Sequence, residues 1–149
     1  MLMKRFFAVM TVFAVLMLVV GLAACDGDGD GNSGGGGGGG NIPPNANRGW
    51  PSSSILAQYG LSGLPQVSGA SNIYWDTEID DGVEVIGIVF QVSSDPTSFY
   101  RTWFTNNGYQ ELGSSGNTNV FYNFQTGAMG SVHYEQSEGW AAIGGGIER

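Results

Sequence analysis

A run of seven consecutive glycines, Gly34–Gly40, is the feature that most limits how this chain can fold. Glycine loses more conformational freedom on folding than any other residue, and the run offers no side chains to bury. Together with the acidic residues before it, the run predicts a flexible tether over residues 25–47. A Gly-rich coil of that length has a root-mean-square span of about 25 Å. Any compact fold must therefore come from residues 48–149, which we predict to be one small globular domain.

The segment before the tether has the layout of a secretory signal peptide. Lys4 and Arg5 form a short basic start, and residues 6–20 are apolar apart from one threonine. This arrangement predicts a signal peptide over residues 1–24. The apolar run is also close to the ~17 to 20 residues that span a bilayer, so an uncleaved anchor helix is the alternative.

The leader ends in Leu22-Ala23-Ala24-Cys25, which contains the only cysteine of the chain. This stretch resembles the lipobox of bacterial lipoproteins. The resemblance implies cleavage between Ala24 and Cys25, a diacylglycerol on the thiol of Cys25, and an acyl chain such as palmitate on the new N-terminus. No other cofactor is expected. Because each buried methylene contributes ~0.8 kcal/mol, two or three acyl chains anchor a protein firmly. The prediction is a lipid-anchored, extracytoplasmic protein of the bacterial cell envelope.

The residue after the lipobox bears on which membrane holds the protein. Asp26 follows Cys25 directly. In enteric-type lipoproteins an aspartate there resembles a signal for retention at the inner membrane, facing the periplasm, whereas other lineages use acidic residues after the cysteine as a mark for surface export. The membrane and the leaflet therefore stay open.

The charge of the chain excludes two classes of partner. The formal net charge is −8, and without the leader only three arginines, with no lysine, stand against thirteen acidic residues. Such a chain has no basic stripe for phosphates, which excludes nucleic acid. It also has no electrostatic attraction to anionic lipid. The partners we expect are the membrane, through the lipid anchor, and either another envelope protein or a glycan.

Two helices are predicted in the domain. Serines followed by Ile55, Leu56 and Tyr59 predict a short helix over residues 52–59. Ser94-Asp95-Pro96 is a strong helix start, since an aspartate can accept the free N–H groups and proline needs no donor there. It predicts a main helix over about 95–107. The four aromatic residues on its broad face would require a sheet to cover them: Phe99, Tyr100, Trp103 and Phe104.

The remaining periodicity is that of strands. Alternating side chains predict strands at 72–79, 83–92, 109–112, 119–125, 130–136 and 139–143. Asp80-Asp81-Gly82 is a strong hairpin signal between the first two. Without a repeated βαβ unit, this order predicts an α+β two-layer sandwich. Its antiparallel sheet would have four to six strands packed on the main helix, with the short helix at the N-terminal end.

The domain also has a broad resemblance to a known group. It is similar to small uncharacterised bacterial lipoprotein domains in three places: the Trp50-Pro51 opening, the helix that ends in Gly108-Tyr109, and the hairpin motif Tyr122-x-Phe124-x-x-Gly127. This resemblance implies no assigned activity.

The motifs of hydrolases and zinc enzymes are missing from the sequence. His133 is the only histidine, and we expect it on the surface of a strand, beside Ser131 and Glu135. There is no Gly-x-Ser-x-Gly elbow for a nucleophilic serine. One histidine and a lipidated Cys25 cannot supply the ligands of a zinc site. We therefore predict no catalytic residues and a protein that is not an enzyme. The alternative is a small hydrolase that uses His133.

Acidic residues recur at every second position of the first predicted strand. Asp76, Glu78 and Asp80 would project from one face, with Glu84 across the turn. Oxygen ligands at that density could hold calcium, so a calcium-dependent domain is a further alternative. The preferred interpretation is a charged strand that discourages aggregation, with no metal bound.

Aromatic residues are the last candidates for a site. The domain has four tryptophans and six tyrosines, and we expect most of them in the core. Tyr74 and Trp140, together with His133, are the candidate binding residues. The predicted function is a non-enzymatic binding or interaction module of a lipid-anchored envelope protein.

Overall fold

A computed structural model describes residues 45–80 and 82–148. The leader, the lipobox and most of the tether predicted above lie outside these residues. Two helices are present in the described chain: α1 (Ser53–Gln58) and α2 (Thr97–Asn106). The strands are β1 (Asn47–Arg48), β2 (Ser71–Asp80), β3 (Val83–Gln91), β4 (Gln110–Ser115), β5 (Thr118–Asn123), β6 (Ala128–Glu135) and β7 (Trp140–Ile147). They form one antiparallel sheet in the order β1-β2-β3-β7-β6-β5-β4.

The predicted α+β two-layer sandwich is wrong. The sheet has seven strands rather than four to six, and it dominates the fold, while the two helices have only 6 and 10 residues. Strand β1 explains the wrong strand count, because the other six strands overlap the predicted segments. Strand β1 consists of two exposed polar residues. It therefore lacks the apolar alternation by which a half-buried strand is recognised.

The loop between α1 and β2 supplies part of the packing that we expected from the main helix. Leu61 and Leu64 lie between the predicted short helix and the first predicted strand, yet they are 0% and 3% exposed. A Cβ atom on Gly145 of β7 would lie 2.6 Å from the Leu61 side chain, so that strand position has to be glycine. The layer against the sheet therefore consists of this loop and two short helices.

Helix α2 begins where the sequence indicates but buries less of its aromatic face than expected. Asp95 Oδ1 accepts a hydrogen bond of 2.8 Å from the backbone N–H of Thr97. Tyr100 and Phe104 are fully buried in the core. Phe99, however, is 44% exposed, although its ring makes an edge-to-face contact with Tyr100. Only half of the predicted aromatic face is fully covered by the sheet and the loop.

The strand register divides the sheet into two faces, since directly paired residues of an antiparallel ladder point to the same side. Ile88, Ile143 and Val132 form one row, which faces the helices. The next row is Val89, Ala142 and His133, and we call its side the distal face.

Strand β5 is apolar on both sides of the sheet. Phe121 points toward the helices, and Tyr122 points to the distal face. There Tyr122 packs with Met129, Val83 and Val120 in a second, smaller apolar cluster.

Neither helix of the described chain combines the length and the apolar character needed to cross a membrane.

Candidate binding site on the distal face

The three candidate binding residues share the distal face. Tyr74 of β2 pairs with Val89, Val89 pairs with Ala142, and Ala142 pairs with His133. Trp140 lies two residues before Ala142 on β7, so it points to the same side. Neighbouring strands are about 4.8 Å apart, and Trp140 lies two residues, or about 7 Å, along β7 from the row of Tyr74, so the two residues are separated by roughly 12 Å. The sheet therefore brings together residues that are 66 positions apart in the chain.

His133 is not the surface residue that we expected, because it is only 7% exposed. Its Nδ1 atom lies 2.7 Å from the hydroxyl oxygen of Thr118, on the neighbouring strand β5. Burial lowers the pKa of the His133 imidazole, and the nearby carboxylate of Glu135 opposes this shift in part. The imidazole is therefore neutral at pH 7 and serves as a hydrogen-bonding and stacking group.

Trp140 is held in place on two sides. Its ring centroid is 5.1 Å from that of His133, with 32° between the planes. Its Nε1–H donates a hydrogen bond of 2.6 Å to Glu138 Oε2, in the turn between β6 and β7. The indole is half-buried. These contacts fix its orientation while leaving part of its surface open to a ligand.

The carboxylate opposite Trp140 is ionised. Glu135 pairs with Trp140 across β6 and β7. Its Oε1 accepts hydrogen bonds of 2.7 Å from the Ser137 hydroxyl and 3.3 Å from the Ser137 backbone N–H. These two bonds are the main reason that the pKa of Glu135 lies below its ordinary value. A fixed acceptor therefore stands at the edge of the aromatic pair.

Two amides lie on the other side of Trp140. Gln91 of β3 pairs directly with Trp140. Its Oε1 accepts a hydrogen bond of 2.5 Å from Asn72 Nδ2. Asn72 sits at an irregularity of β2 between Ser71 and Tyr74, with a φ of 47°. Asparagine is one of the few residues that tolerates this left-handed conformation, and the irregularity directs its amide toward Gln91.

Tyr74 lies at the opposite end of the site from His133. It is half-buried, and burial raises the pKa of its phenol. Arg48 of β1 pairs with Tyr74. Within residues 45–80 and 82–148, Arg48 has no hydrogen bond or ion pair from its guanidinium. The other arginine of that part, Arg101, is bound to Glu111 at 3.1 Å.

Among the described side chains, the acids of β2 are not part of a group that could hold a metal ion. Asp76 and Glu78 are exposed and project from the distal face, while the side chain of Asp80 lies outside what the structure describes. Among the described residues, no group of three or more His, Cys, Asp or Glu side chains could hold a metal ion. The acids of this strand therefore carry no metal proposal.

The surroundings of His133 do not suit nucleophilic catalysis. The hydroxyl beside it belongs to Thr118, which is itself buried in the sheet. A nucleophile has to reach the substrate as well as its base. The chemistry that this arrangement supports best is recognition through stacking and hydrogen bonds.

Asn72, Gln91 and Thr118 belong to this site but were not among the residues predicted from the sequence. They are close to the predicted candidates only through pairing between strands, and a single sequence does not state which strands are neighbours. The alternation of β2 and β6 did indicate that Tyr74 and His133 each lie on one side of a strand. It could not show that the two sides are the same.

A concavity lies on the helix side of the sheet, at the end of the β2–β3 hairpin. Its volume is about 230 Å³, and Gln58, Ile79, Gly82, Glu84 and Ile147 line it. Ile79 is 72% exposed there. The concavity is small beside typical ligand pockets of about 300 to 1,000 Å³.

Comparison of the chain with protein-family models, with curated proteins and with solved structures found no match.

Proposed function

We propose that this protein is a bacterial envelope lipoprotein that presents a non-enzymatic binding domain on a tether. The leader and the Leu22-Ala23-Ala24-Cys25 stretch support the lipid anchor, as argued from the sequence. The single observation that carries the binding role is the placement of Tyr74, His133 and Trp140 on one face of the sheet. Aromatic side chains held by neighbouring contacts form a recognition surface with little entropy left to lose.

The tether fits this role. Residues 26–47 allow the domain to stand about 25 Å from the membrane on average. The tether joins the domain at β1, which pairs with β2, the strand that contains Tyr74. A binding domain at that distance can reach partners beyond the lipid headgroups.

The anchor is tested by mass spectrometry of the protein from membranes of the producing cells. We expect a mature chain that begins at Cys25 and carries diacylglycerol and a further acyl group. A Cys25→Ser variant serves as the control, since it should remain unprocessed and unlipidated. A wild-type chain that still begins at Met1 with a free thiol contradicts the proposed anchor.

The binding role is tested by photocrosslinking in intact cells. A photoreactive phenylalanine analogue replaces the half-buried Trp140 in one variant and the exposed Phe99 in another, because Phe99 lies on α2, on the other side of the sheet. We expect an adduct from position 140 and none from position 99. Equal labelling from both positions, or none from either, contradicts a binding face at Trp140.

A further inference from the structure

The two most exposed large apolar side chains of the described chain lie at the same end of the sheet. Ile79 is 72% exposed, and Phe124 is 55% exposed. One row of paired residues crosses the sheet close to both: Glu78, Val85, Gly146, Met129 and Tyr122. Strands β2 and β5 run in the same direction, so Ile79, one position after Glu78, and Phe124, two after Tyr122, lie toward one end. Four strand spacings, or roughly 19 Å, separate them.

The tether enters the sheet from this same end. Asn47 pairs with Trp75, and the next residue of β1 pairs with Tyr74. Strand β1 therefore runs antiparallel to β2, from the side of Ile79 toward the start of β2. The chain before Asn47 leads back toward Ile79. We call this end of the sheet, which contains the β2–β3 hairpin and the β5–β6 turn, the tether end.

The candidate binding residue Trp140 lies at the opposite end of the sheet. It pairs with Glu135, the last residue of β6. Ala128, the first residue of β6, follows the turn that contains Phe124. The eight residues of β6 separate the two ends by roughly 25 Å. A domain that rests on its tether end therefore presents Trp140 on the side away from the membrane.

We propose that the tether end contacts the lipid headgroups of the membrane in which Cys25 is anchored, through Ile79 and Phe124. This inference rests on the proposed lipid anchor and adds an orientation to it. The partner is a membrane because the tether leads from this end of the sheet toward the lipid anchor. Apolar side chains gain free energy when they leave water at the boundary between headgroups and acyl chains.

The tether explains how two side chains can be sufficient. A free protein would not stay on a membrane through a contact of this size. An anchored domain is always within reach of the lipid surface, so its effective concentration there is high and a weak contact becomes populated. The 22 residues of positions 26–47 also let the domain leave the surface, so the tether alone does not orient it.

The charges of the tether end indicate a neutral lipid surface. Glu84, which pairs with Ile79, and Glu148, which follows β7, are both exposed there. Of the arginines in residues 45–80 and 82–148, Arg101 is already in an ion pair, and Arg48 lies on β1, several positions from Ile79. Anionic headgroups repel an acidic surface. The lipids that fit are zwitterionic, with phosphatidylcholine or phosphatidylethanolamine headgroups.

A second copy of the chain fits the tether end less well. Contact between two tether ends would bring Glu84 and Glu148 of both copies together, and like charges at an interface are unfavourable. Two apolar side chains per copy also supply only a small part of the about 800 Å² per partner that a stable interface buries.

The test uses the full-length lipidated protein in vesicles of phosphatidylcholine and phosphatidylethanolamine, with a nitroxide on part of the headgroups as a quencher. A fluorophore is attached through Gln125→Cys, in the turn with Phe124, or through Gln136→Cys, in the β6–β7 turn. Both glutamines are exposed, and acylation of Cys25 leaves the new cysteine as the only free thiol. We expect quenching at position 125 to be at least about twice that at position 136, because roughly 25 Å separates the two turns.

Substitutions then identify the contact. Ile79→Ser and Phe124→Ser in one chain should reduce the quenching at position 125 to the level at position 136. Phe99→Ser is the matched control, since Phe99 is exposed but lies near the start of α2, and it should leave the quenching unchanged. Addition of anionic phosphatidylglycerol should reduce the quenching at position 125, and an increase would contradict the neutral surface. Thermal unfolding verifies that each variant is folded.

Three results overturn the membrane contact. The first is equal quenching at positions 125 and 136, and the second is quenching at position 125 that the double substitution leaves unchanged. The third is self-quenching between fluorophores at position 125 that rises with protein density while the lipid nitroxide has no effect, which would assign the tether end to a second copy. Mass spectrometry of the same sample separates this outcome from that of the anchor. An acylated Cys25 with equal quenching rejects only the contact, whereas an unacylated chain rejects the anchor and the contact together.

Discussion

The ring of Phe104 in α2 lies parallel to the ring of Phe121 in β5, with 4.5 Å between centroids and 10° between planes. Both side chains are fully buried. This stack joins the helix to the sheet, and it depends on the strand next to β5. Gly130 pairs with Phe121, and a Cβ atom at Gly130 would lie 2.2 Å from Phe104 Cε1.

Gly130→Ala should therefore destabilise the domain, because the methyl group and the Phe104 ring cannot occupy the same space. Overpacking of this kind costs about 1 to 3 kcal/mol in the free energy of unfolding. Urea denaturation followed by circular dichroism measures this cost. Ser114→Ala, on the exposed strand β4, is the control and should change stability by less than about 0.5 kcal/mol. Equal stability of the two variants would contradict this account of the helix contact.

Two phenylalanines of α2 should differ sharply in their contribution to stability. Phe104→Ala removes a fully buried ring and should cost about 3 to 5 kcal/mol. Phe99→Ala removes a ring that is 44% exposed and should cost less, on the order of 1 kcal/mol. The free energies of unfolding from urea titrations provide the comparison. Similar losses from both substitutions would show that the two sides of the helix are buried alike.

Tyr100→Phe should loosen the loop that covers the sheet. The Tyr100 hydroxyl donates to the carbonyl of Pro65 at 3.2 Å and accepts from the N–H of Val67 at 3.1 Å. Removal of the hydroxyl leaves both backbone groups without this partner, at a cost of about 1 to 3 kcal/mol.

Hydrogen exchange at Val67 measures this effect directly, and we expect faster exchange in Tyr100→Phe. Tyr59→Phe is the control, because the Tyr59 hydroxyl makes no hydrogen bond within the described part of the chain. Unchanged exchange at Val67 in Tyr100→Phe would show that the loop is held by apolar packing alone.

The stability of the domain should fall as the pH drops from 7 to 5. Burial lowers the folded-state pKa of His133, so the unfolded chain takes up a proton more readily than the folded chain. The resulting stability is complete above the unfolded pKa of about 6.5 and is lost as the pH falls toward the folded value. Glu135 has a lowered pKa as well, but its contribution is lost only at more acidic pH.

Thermal unfolding between pH 5 and pH 7 tests this dependence. His133→Gln removes the titrating group and should make the unfolding temperature less dependent on pH in that range. An unchanged pH dependence in His133→Gln would assign the effect to other groups. NMR titration of the single histidine provides a second check, since its pKa should lie below 6.5.

The local parts of the fold could be predicted from the sequence. Strands β2 and β3 lie within one residue of the predicted segments, because Gly82 and the acidic residues before it indicate the turn between them. Asp95 and Pro96 likewise indicate the start of helix α2. These signals depend on residues that are close in the sequence, so a single chain contains them.

The non-local parts could not be predicted in the same way. Leu61 and Leu64 are buried although they have no periodic pattern around them, and Leu61 packs against Gly145, which is 84 positions away. The burial of His133 depends likewise on its neighbours across the sheet. Prediction of the candidate site requires both the strand order and the register of the sheet. Asn72 and Gln91 could not be predicted for this reason.

Strand β1 has a mechanical consequence for a domain held at a membrane. The chain enters the sheet through Asn47 and Arg48, which pair with Trp75 and Tyr74. A pull on the N-terminal side of the domain is therefore borne first by two residue pairs at the edge of the sheet. These pairs can separate while the ladders from β2 to β4 stay intact. If the domain is anchored through its N-terminal segment as proposed, β1 is therefore the strand that separates first under such a pull, and its release would free the edge of β2, the strand that holds Tyr74.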